Sequence, residues 1–388
     1  MTASNWVYPT PIRFGPGRIK ELAAVCHDAG IERPLIVTDP GLAALPLTPS
    51  IHALLDTGGL SSTTFHDLKP NPVGRDIEAG VAAYRAGEHD GVIALGGGSA
   101  LDVGKIIAFM AAQSRPMWDF EDIGDNWTRA STDGIAPIIA VPTTAGTGSE
   151  VGRAGVVINE DTHRKVIIFH PAMLPTTVIS DPELTVGLPR MLTVGTGLDA
   201  LSHSLEAICA PGFHPMSHGI GMEGCRLVLE HLPRVVADPA DIESRGQMLA
   251  AASMGAVAFQ KGLGAMHALA HPIGAEFDTH HGMTNAVVMP YVLEANRAAI
   301  EPTIDRLAAY VGITGGFDGF LAHILETREA MDVPHTLVEL GVDAGAIDKI
   351  VAAAIEDPSA STNPIPFDQT FADAVFRAAC EGDLHATR

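Results

Sequence analysis

Along its first half the chain alternates short aliphatic runs with stretches in which apolar residues recur every three to four positions. The runs PLIVTD (34–39), GVIALGGG (91–98), APIIAVPTT (136–144) and TTVISD (176–181) are nearly continuous in apolar residues. That is the pattern of strands buried on both faces. Between them, RDIEAGVAAYRAG (75–87) and ALDVGKIIAFMAA (100–112) carry helical periodicity. Such strand–helix alternation predicts a parallel α/β sheet. Past DPELTVGLP (181–189) the texture changes, and Ala-, Leu- and Met-rich helical segments continue almost to the end. The expected fold is α/β plus all-α: a Rossmann-like parallel-sheet domain over residues 1–184, then an all-helical domain over residues 185–388. The length of 388 residues agrees, since one hydrophobic core seldom organises so long a chain.

Charge narrows the partners. The formal net charge of −22 repels phosphate backbones and anionic lipid, which argues against nucleic acid and membrane surfaces. Cys26, Cys209, Cys225 and Cys380 are far apart and form no CxxC, so neither a disulfide framework nor a thiolate metal site is indicated. The first twenty residues lack a basic segment followed by an apolar run, and nothing approaches the roughly 18 uninterrupted apolar residues of a membrane span. A cytoplasmic protein is expected, and the NWT sequon at 126–128 is discounted on that ground.

Two turns could receive phosphate. Gly96, Gly97, Gly98 and Ser99 stand between a predicted strand and a predicted helix, where glycines let the backbone approach an anion and helix-start N–H groups favour it. The GxGxxG fingerprint is absent. A second turn, VPTTAGTGSE (141–150), again follows a strand and offers the hydroxyls of Thr143, Thr144 and Thr147. Two such turns at neighbouring strand ends suit one extended ligand, a dinucleotide. Asp39, ending PLIVTD, could accept from an adenosine ribose and repel a 2′-phosphate, favouring NAD over NADP; the alternative is a cap on the following helix.

A second constellation lies in the helical half. In TGLDALSHSLEAI (196–208), Asp199 and His203 are four residues apart on an otherwise apolar helix, hence on one face. His267 and His271 repeat that spacing in GLGAMHALAHPIG, and His280-His281 follows in a Gly-containing turn. One carboxylate and three imidazoles can enclose a divalent cation such as Fe²⁺ or Zn²⁺. His214 and His218 share the spacing, but Pro215 and nearby glycines make that stretch a loop or a helix start with ordinary histidines. His163 and His170 have no partner at matching spacing.

Together these residues resemble the iron-containing (group III) alcohol dehydrogenase family. The resemblance runs through PTPIRFGPGRIKEL, KPNPVGRDIEAG, GGGSALDVGK, VPTTAGTGSEV, ISDPELTVGLP, TGLDALSHSLEA and GAMHALAHPIGAEFDTHHGMTNA, in that order. It implies a dinucleotide-binding α/β domain, a helical domain, and an active site in the cleft between them. Asp199, His203, His267 and His281 match the family's metal ligands. His271 matches a position beside metal and nicotinamide, a candidate proton relay. Asp39, Asn71, Gly97, Gly98, Ser99, Asp102, Thr143, Thr144, Thr147 and Lys165 match cofactor-contacting positions. The chain departs from the pattern at Gly152, where Ser or Thr is usual, at His218, where Asp is usual, and at His280, where Pro is usual.

The resemblance implies hydride transfer between NAD(H) and a small alcohol, aldehyde or ketone, with Fe²⁺, or Zn²⁺ or Mn²⁺, polarising the substrate oxygen, in a homodimer or larger homo-oligomer. A dehydroquinate synthase-like lyase is the rival enzyme, and a non-catalytic NAD-binding sensor the rival class. The lyase would need a basic grip on a phosphorylated, carboxylated substrate. After residue 185 only Lys261 and Lys349 are lysines.

Overall fold

The computed structural model describes residues 10–162 and 164–387. The chain divides between Leu188 and Pro189 into two compact units. Among its described residues the first holds eight strands: β1 (Ile12–Phe14), β2 (Pro34–Val37), β3 (Thr63–Phe65), β4 (Gly91–Gly96), β5 (Ile138–Pro142), β6 (Ala154–Asn159), β7 (Arg164–Phe169) and β8 (Thr177–Ser180). Five helices join them: α1 (Leu22–Asp28), α2 (Pro40–Ala43), α3 (Leu47–Thr57), α4 (Gly74–Ala86) and α5 (Gly98–Met110).

Six strands form one all-parallel sheet in the order β1-β8-β5-β4-β2-β3, and β6 and β7 make a separate antiparallel hairpin. The central strands are apolar throughout because both faces are covered. Leu35, Val37, Val92, Ala94, Ile138, Ala140 and Val178 pack into one core with α5, whereas Ile36, Ile93, Leu95, Ile139, Val141 and Ile179 pack into a second core with α1 and α3. The two-residue alternation of a strand assigns each side chain to its layer. Fully burying one Val, Leu or Ile contributes about 1.5–3 kcal/mol, so the register is strongly specified.

The sequence pattern missed β1, β3 and the β6–β7 hairpin. All three residues of β1 are exposed, and the hairpin alternates buried with half-buried positions, so neither forms an apolar run.

The second unit holds eight helices among its described residues: α6 (Arg190–Cys209), α7 (Pro215–Ala237), α8 (Ile242–Ala258), α9 (Ala265–Phe277), α10 (His281–Tyr310), α11 (Gly316–Ala330), α12 (Ile347–Ile355) and α13 (Gln369–Glu381). Helix α6 is buried almost all round from Thr193 to Ile208 and packs on α7, α8 and α10. A helix apolar on every side belongs in the middle of its unit. Helix α10 begins against it at Gly282, where an added Cβ would stand 2.2 Å from the Gly195 carbonyl oxygen and 2.9 Å from Asp199 Cβ. Only glycine permits that approach, and it brings His281 beside Asp199.

Candidate metal centre and cofactor turns

Asp199 and His203 sit one turn apart on α6, 3% exposed each, and His267 on α9 is 1% exposed. One ligand atom from each lies within 4.8 Å of the others. The His203 and His267 rings stack, with centroids 4.6 Å apart and planes at 18°. Three donors taken out of water and turned on one point are unfavourable unless something positive joins them. A carboxylate and two imidazoles are the donors a borderline divalent cation selects, so the residues fit such an ion.

A carboxylate further along α6 orients this centre. Glu206 Oε2 is 2.6 Å from His267 Nδ1, and Glu206 Oε1 accepts from the Met266 N–H at 2.7 Å. An ionised carboxylate only accepts, so Nδ1 carries the hydrogen and Nε2 is left to face Asp199, whose Oδ1 is 4.0 Å away. Burial pushes the His267 pKa down, but Glu206, Asp199 and Asp357 outweigh burial and hold it above the ordinary histidine value.

His281, the first residue of α10, places Nε2 3.5 Å from Asp199 Oδ1, though its ligand atoms lie outside the tight group of three. His280 is the N-cap of α10, its Nδ1 accepting from the Met283 N–H. His271 holds Asp357 Oδ2 at 2.7 Å through Nδ1, and its ring stacks on His281 at 5.4 Å and 12°. Burial alone would raise the Asp357 pKa; the His271 imidazole and the Ser359 N–H and hydroxyl hold it below the usual carboxylate range.

Asn285 was not found from the sequence. Its Nδ2 donates to Asp199 Oδ1 at 2.9 Å and lies 3.3 Å from His267 Nε2 and 3.2 Å from His281 Nε2. Its spacing, four residues after His281, was the available signal. Glu206 likewise follows His203 by three residues on the face of α6 that carries Asp199.

In the first unit, β4 and β5 are neighbours, so the two glycine-containing turns emerge side by side. A Cβ on Gly98 would lie 2.5 Å from Thr147 Oγ1, and one on Gly97 would lie 3.3 Å from Thr144 Cγ2. The two turns thus interlock where a larger residue than glycine does not fit, a cradle shaped for backbone contact with phosphate. The Thr143 N–H donates to the Gly96 carbonyl at 2.9 Å. The Ser99 hydroxyl donates to the Pro70 carbonyl, tying the start of α5 to the loop that bears Asn71. Asp39, at the end of β2, caps α2: Oδ1 accepts from the Leu42 N–H at 2.9 Å, while Oδ2 faces Gly96. Lys165 is half-buried on β7, opposite Ile158.

Asp102 is turned inward. Its carboxylate accepts from the Ser149 hydroxyl at 2.5 Å and the Val156 N–H at 3.0 Å, and pairs with Lys105 Nζ at 3.2 Å. Lys105, 1% exposed, also donates to the carbonyls of Ser149 and Ala154. No spacing along the chain marks this lysine's role. It fastens the second turn and the hairpin to α5.

Two further histidines singled out in the sequence, His214 and His170, serve as caps. His214 caps α7 through Nδ1 with Pro215 in the first turn, a helix start. His170 caps the short turn Pro171–Met173 and stacks on Phe109. His163 lies outside the described residues.

Residues 9–182 match the family described as iron-containing alcohol dehydrogenase, and residues 193–380 match the C-terminal domain of that family. A 4-hydroxybutyrate dehydrogenase from Cupriavidus necator is 38% identical over 369 residues, 92% of this chain and 94% of that one. Among solved structures, a 1,3-propanediol oxidoreductase superposes with a TM-score of 0.92 at 31% identity, covering 97% of this chain and 100% of that one. A sulfoacetaldehyde reductase from Bifidobacterium kashiwanohense in complex with NAD+ gives 0.88 at 27%, covering 98% and 99%. These relatives do not favour the lyase reading. The chain belongs to the iron-containing alcohol dehydrogenase family, and is a metal-containing, NAD-dependent oxidoreductase that interconverts an alcohol and its carbonyl compound.

Proposed function

We propose that the helical unit holds iron through Asp199, His203, His267 and His281, and that the strand-end turns of the first unit hold NAD(H) through the residues matched above. The observation that carries this reading is the convergence of Asp199, His203 and His267, all buried, with Glu206 fixing the His267 tautomer. When bound, the cation supplies Lewis acidity toward the substrate oxygen and the nicotinamide carries the hydride. The chain's own residues do the rest. Glu206 and Asn285 hold the donors in orientation. His271, with Nδ1 committed to Asp357, moves a proton at Nε2. Gly97, Gly98 and Ser99 present backbone to phosphate, and Asp39 favours NAD over NADP.

The substrate of this reading is a short-chain aldehyde with a terminal acid group, or the matching hydroxy acid. The names of two relatives, 4-hydroxybutyrate dehydrogenase and sulfoacetaldehyde reductase, support that class. Small uncharged alcohols fit the same chemistry. The site of action is the cytoplasm, where the NAD pool lies, which suits four free cysteines. Among the described residues no helix is long and apolar enough to cross a membrane. The assembly is a homodimer or larger. Supporting it, among the described residues β1 is a sheet edge with Ile12 and Phe14 exposed at 36% and 45%, a row of backbone groups that a second copy can pair.

The test is add-back to anaerobic, chelator-stripped enzyme of Fe²⁺, Zn²⁺, Mn²⁺ or nothing, following NADH oxidation with a panel of short aldehydes, ketones and semialdehydes. Restoration by iron is expected. Turnover without any metal would remove the role assigned to Asp199 and its histidines.

A further inference from the structure

A group of basic side chains gathers at the far end of α6. Lys261 closes the short turn Phe259–Lys261, and its Nζ donates to the Ile208 carbonyl at 3.1 Å. His218, in the first turns of α7, meets Arg306 of α10 through Nε2. Burial, Arg306 and Lys261 together hold the His218 pKa below the ordinary histidine value. The charged neighbour that acts on Lys261 is Arg306, with the neutral Cys209 thiol beside it. Among the described residues, no carboxylate acts on Lys261 or His218. Glu223, five residues on along α7, is engaged by Arg226 and Tyr310. In a chain of net charge −22, three basic groups converging without an acidic partner are unusual. Lys261 and His218 are both half-buried, so water screens them incompletely.

The cluster is tied to the candidate metal centre. Phe259, in the same turn as Lys261, packs its ring 5.1 Å from that of His203. Ile208 lies five residues beyond His203 on α6, about 8 Å of helix rise. An extended four-carbon acid, oxygen at each end, is of that length.

We infer that Lys261, His218 and Arg306 form the recognition site for the terminal carboxylate of a short semialdehyde or ω-hydroxy acid whose other end reacts at the His203 end of α6. The inference rests on the metal-centre reading above. Lys261 and Arg306 supply charge-assisted donors, and His218 a neutral one. An Asp at 218 would place a like charge against the carboxylate.

The experiment uses the metal-loaded holoenzyme with succinic semialdehyde and butanal, aldehydes of equal chain length with and without the carboxylate. Lys261→Met and His218→Asp are expected to lower the ratio of kcat/KM for succinic semialdehyde over butanal tenfold or more. Calorimetry with butyrate, which carries only the acid end, is expected to show a matching tenfold loss of affinity. A ratio unchanged in both variants would overturn the inference and leave Lys261 as a cap on the Ile208 carbonyl, with thermal melting reporting whether fold was lost. If the wild-type enzyme reduces butanal well but succinic semialdehyde poorly, the inference fails and the metal reading stands. If metal-loaded enzyme binds NADH and reduces neither, both fall.

Discussion

The two units build their sites in opposite ways. In the first, the surface proposed to receive the cofactor is mostly backbone: glycines at the ends of β4 and β5, with side chains such as Thr147 set close against them. In the second it is all side chain, projecting from the middles and ends of long helices. Two imidazoles there depend on an acid supplied elsewhere. His267 reaches Glu206 across 61 residues of sequence and His271 reaches Asp357 across 86. A backbone site is a local property of a turn, whereas a side-chain site is a property of packing. Mutations should therefore act locally in the first unit and over long range in the second.

The contrast is tested most severely at the ligands. Asp199→Ala or His267→Ala should abolish metal retention, measured by elemental analysis, and lower kcat/KM about 1,000-fold or more, the loss of several kcal/mol of oxygen stabilisation. NADH binding, followed by fluorescence, should survive; its loss would mean that the sites are not separable. Next comes the buried pair of the first unit. Lys105→Met leaves the Asp102 carboxylate without its cation and should destabilise the protein by about 3–5 kcal/mol in denaturant titration. The double variant Asp102→Asn with Lys105→Met should recover part of that loss.

Glu206→Gln removes no ligand, yet it should weaken metal affinity about 10–100-fold by freeing the His267 ring. The same pair sets a pH dependence. The His267 pKa is raised in the metal-free protein, so protons compete with the cation increasingly as pH falls, and apparent metal affinity should drop toward acid. In Glu206→Gln that drop should begin at lower pH, because the largest raising influence is gone. The smallest effect belongs to the first unit: Asp39→Ala should cost about 1 kcal/mol through the lost α2 cap, and narrow the preference of NADH over NADPH.

Legibility follows the same divide. The central strands were readable because burial on both faces made their residues apolar without interruption, as Ile36, Ile93 and Ile139 show. The glycine turns were readable because all their parts are contiguous. Asp199 and His203 were readable because helical spacing places them on one face. Asp357 was not, since nothing local to it records that His271 lies against it. Lys105 ends the motif GGGSALDVGK, but its function comes from a hairpin folding over α5, which no spacing encodes. The exposed β1 lacks the apolar signature on which strand reading relies.

That strand has a consequence for how the chain becomes a protein. Among the described residues, β1 finds its strand partner at 178–180, in parallel, so the earliest described strand is among the last to be paired. A ribosome must deliver some 165 further residues before the edge can close, and loop closure over that separation is slow relative to local helix formation. The nascent sheet therefore grows outward from β2, β4 and β5, with the N-terminal strand waiting as a loose end that a chaperone or a neighbouring chain can meet first. Moving the chain's start to lie between β1 and β2, by circular permutation with a linker from the original C-terminus, would change the timing of that encounter without altering the finished sheet.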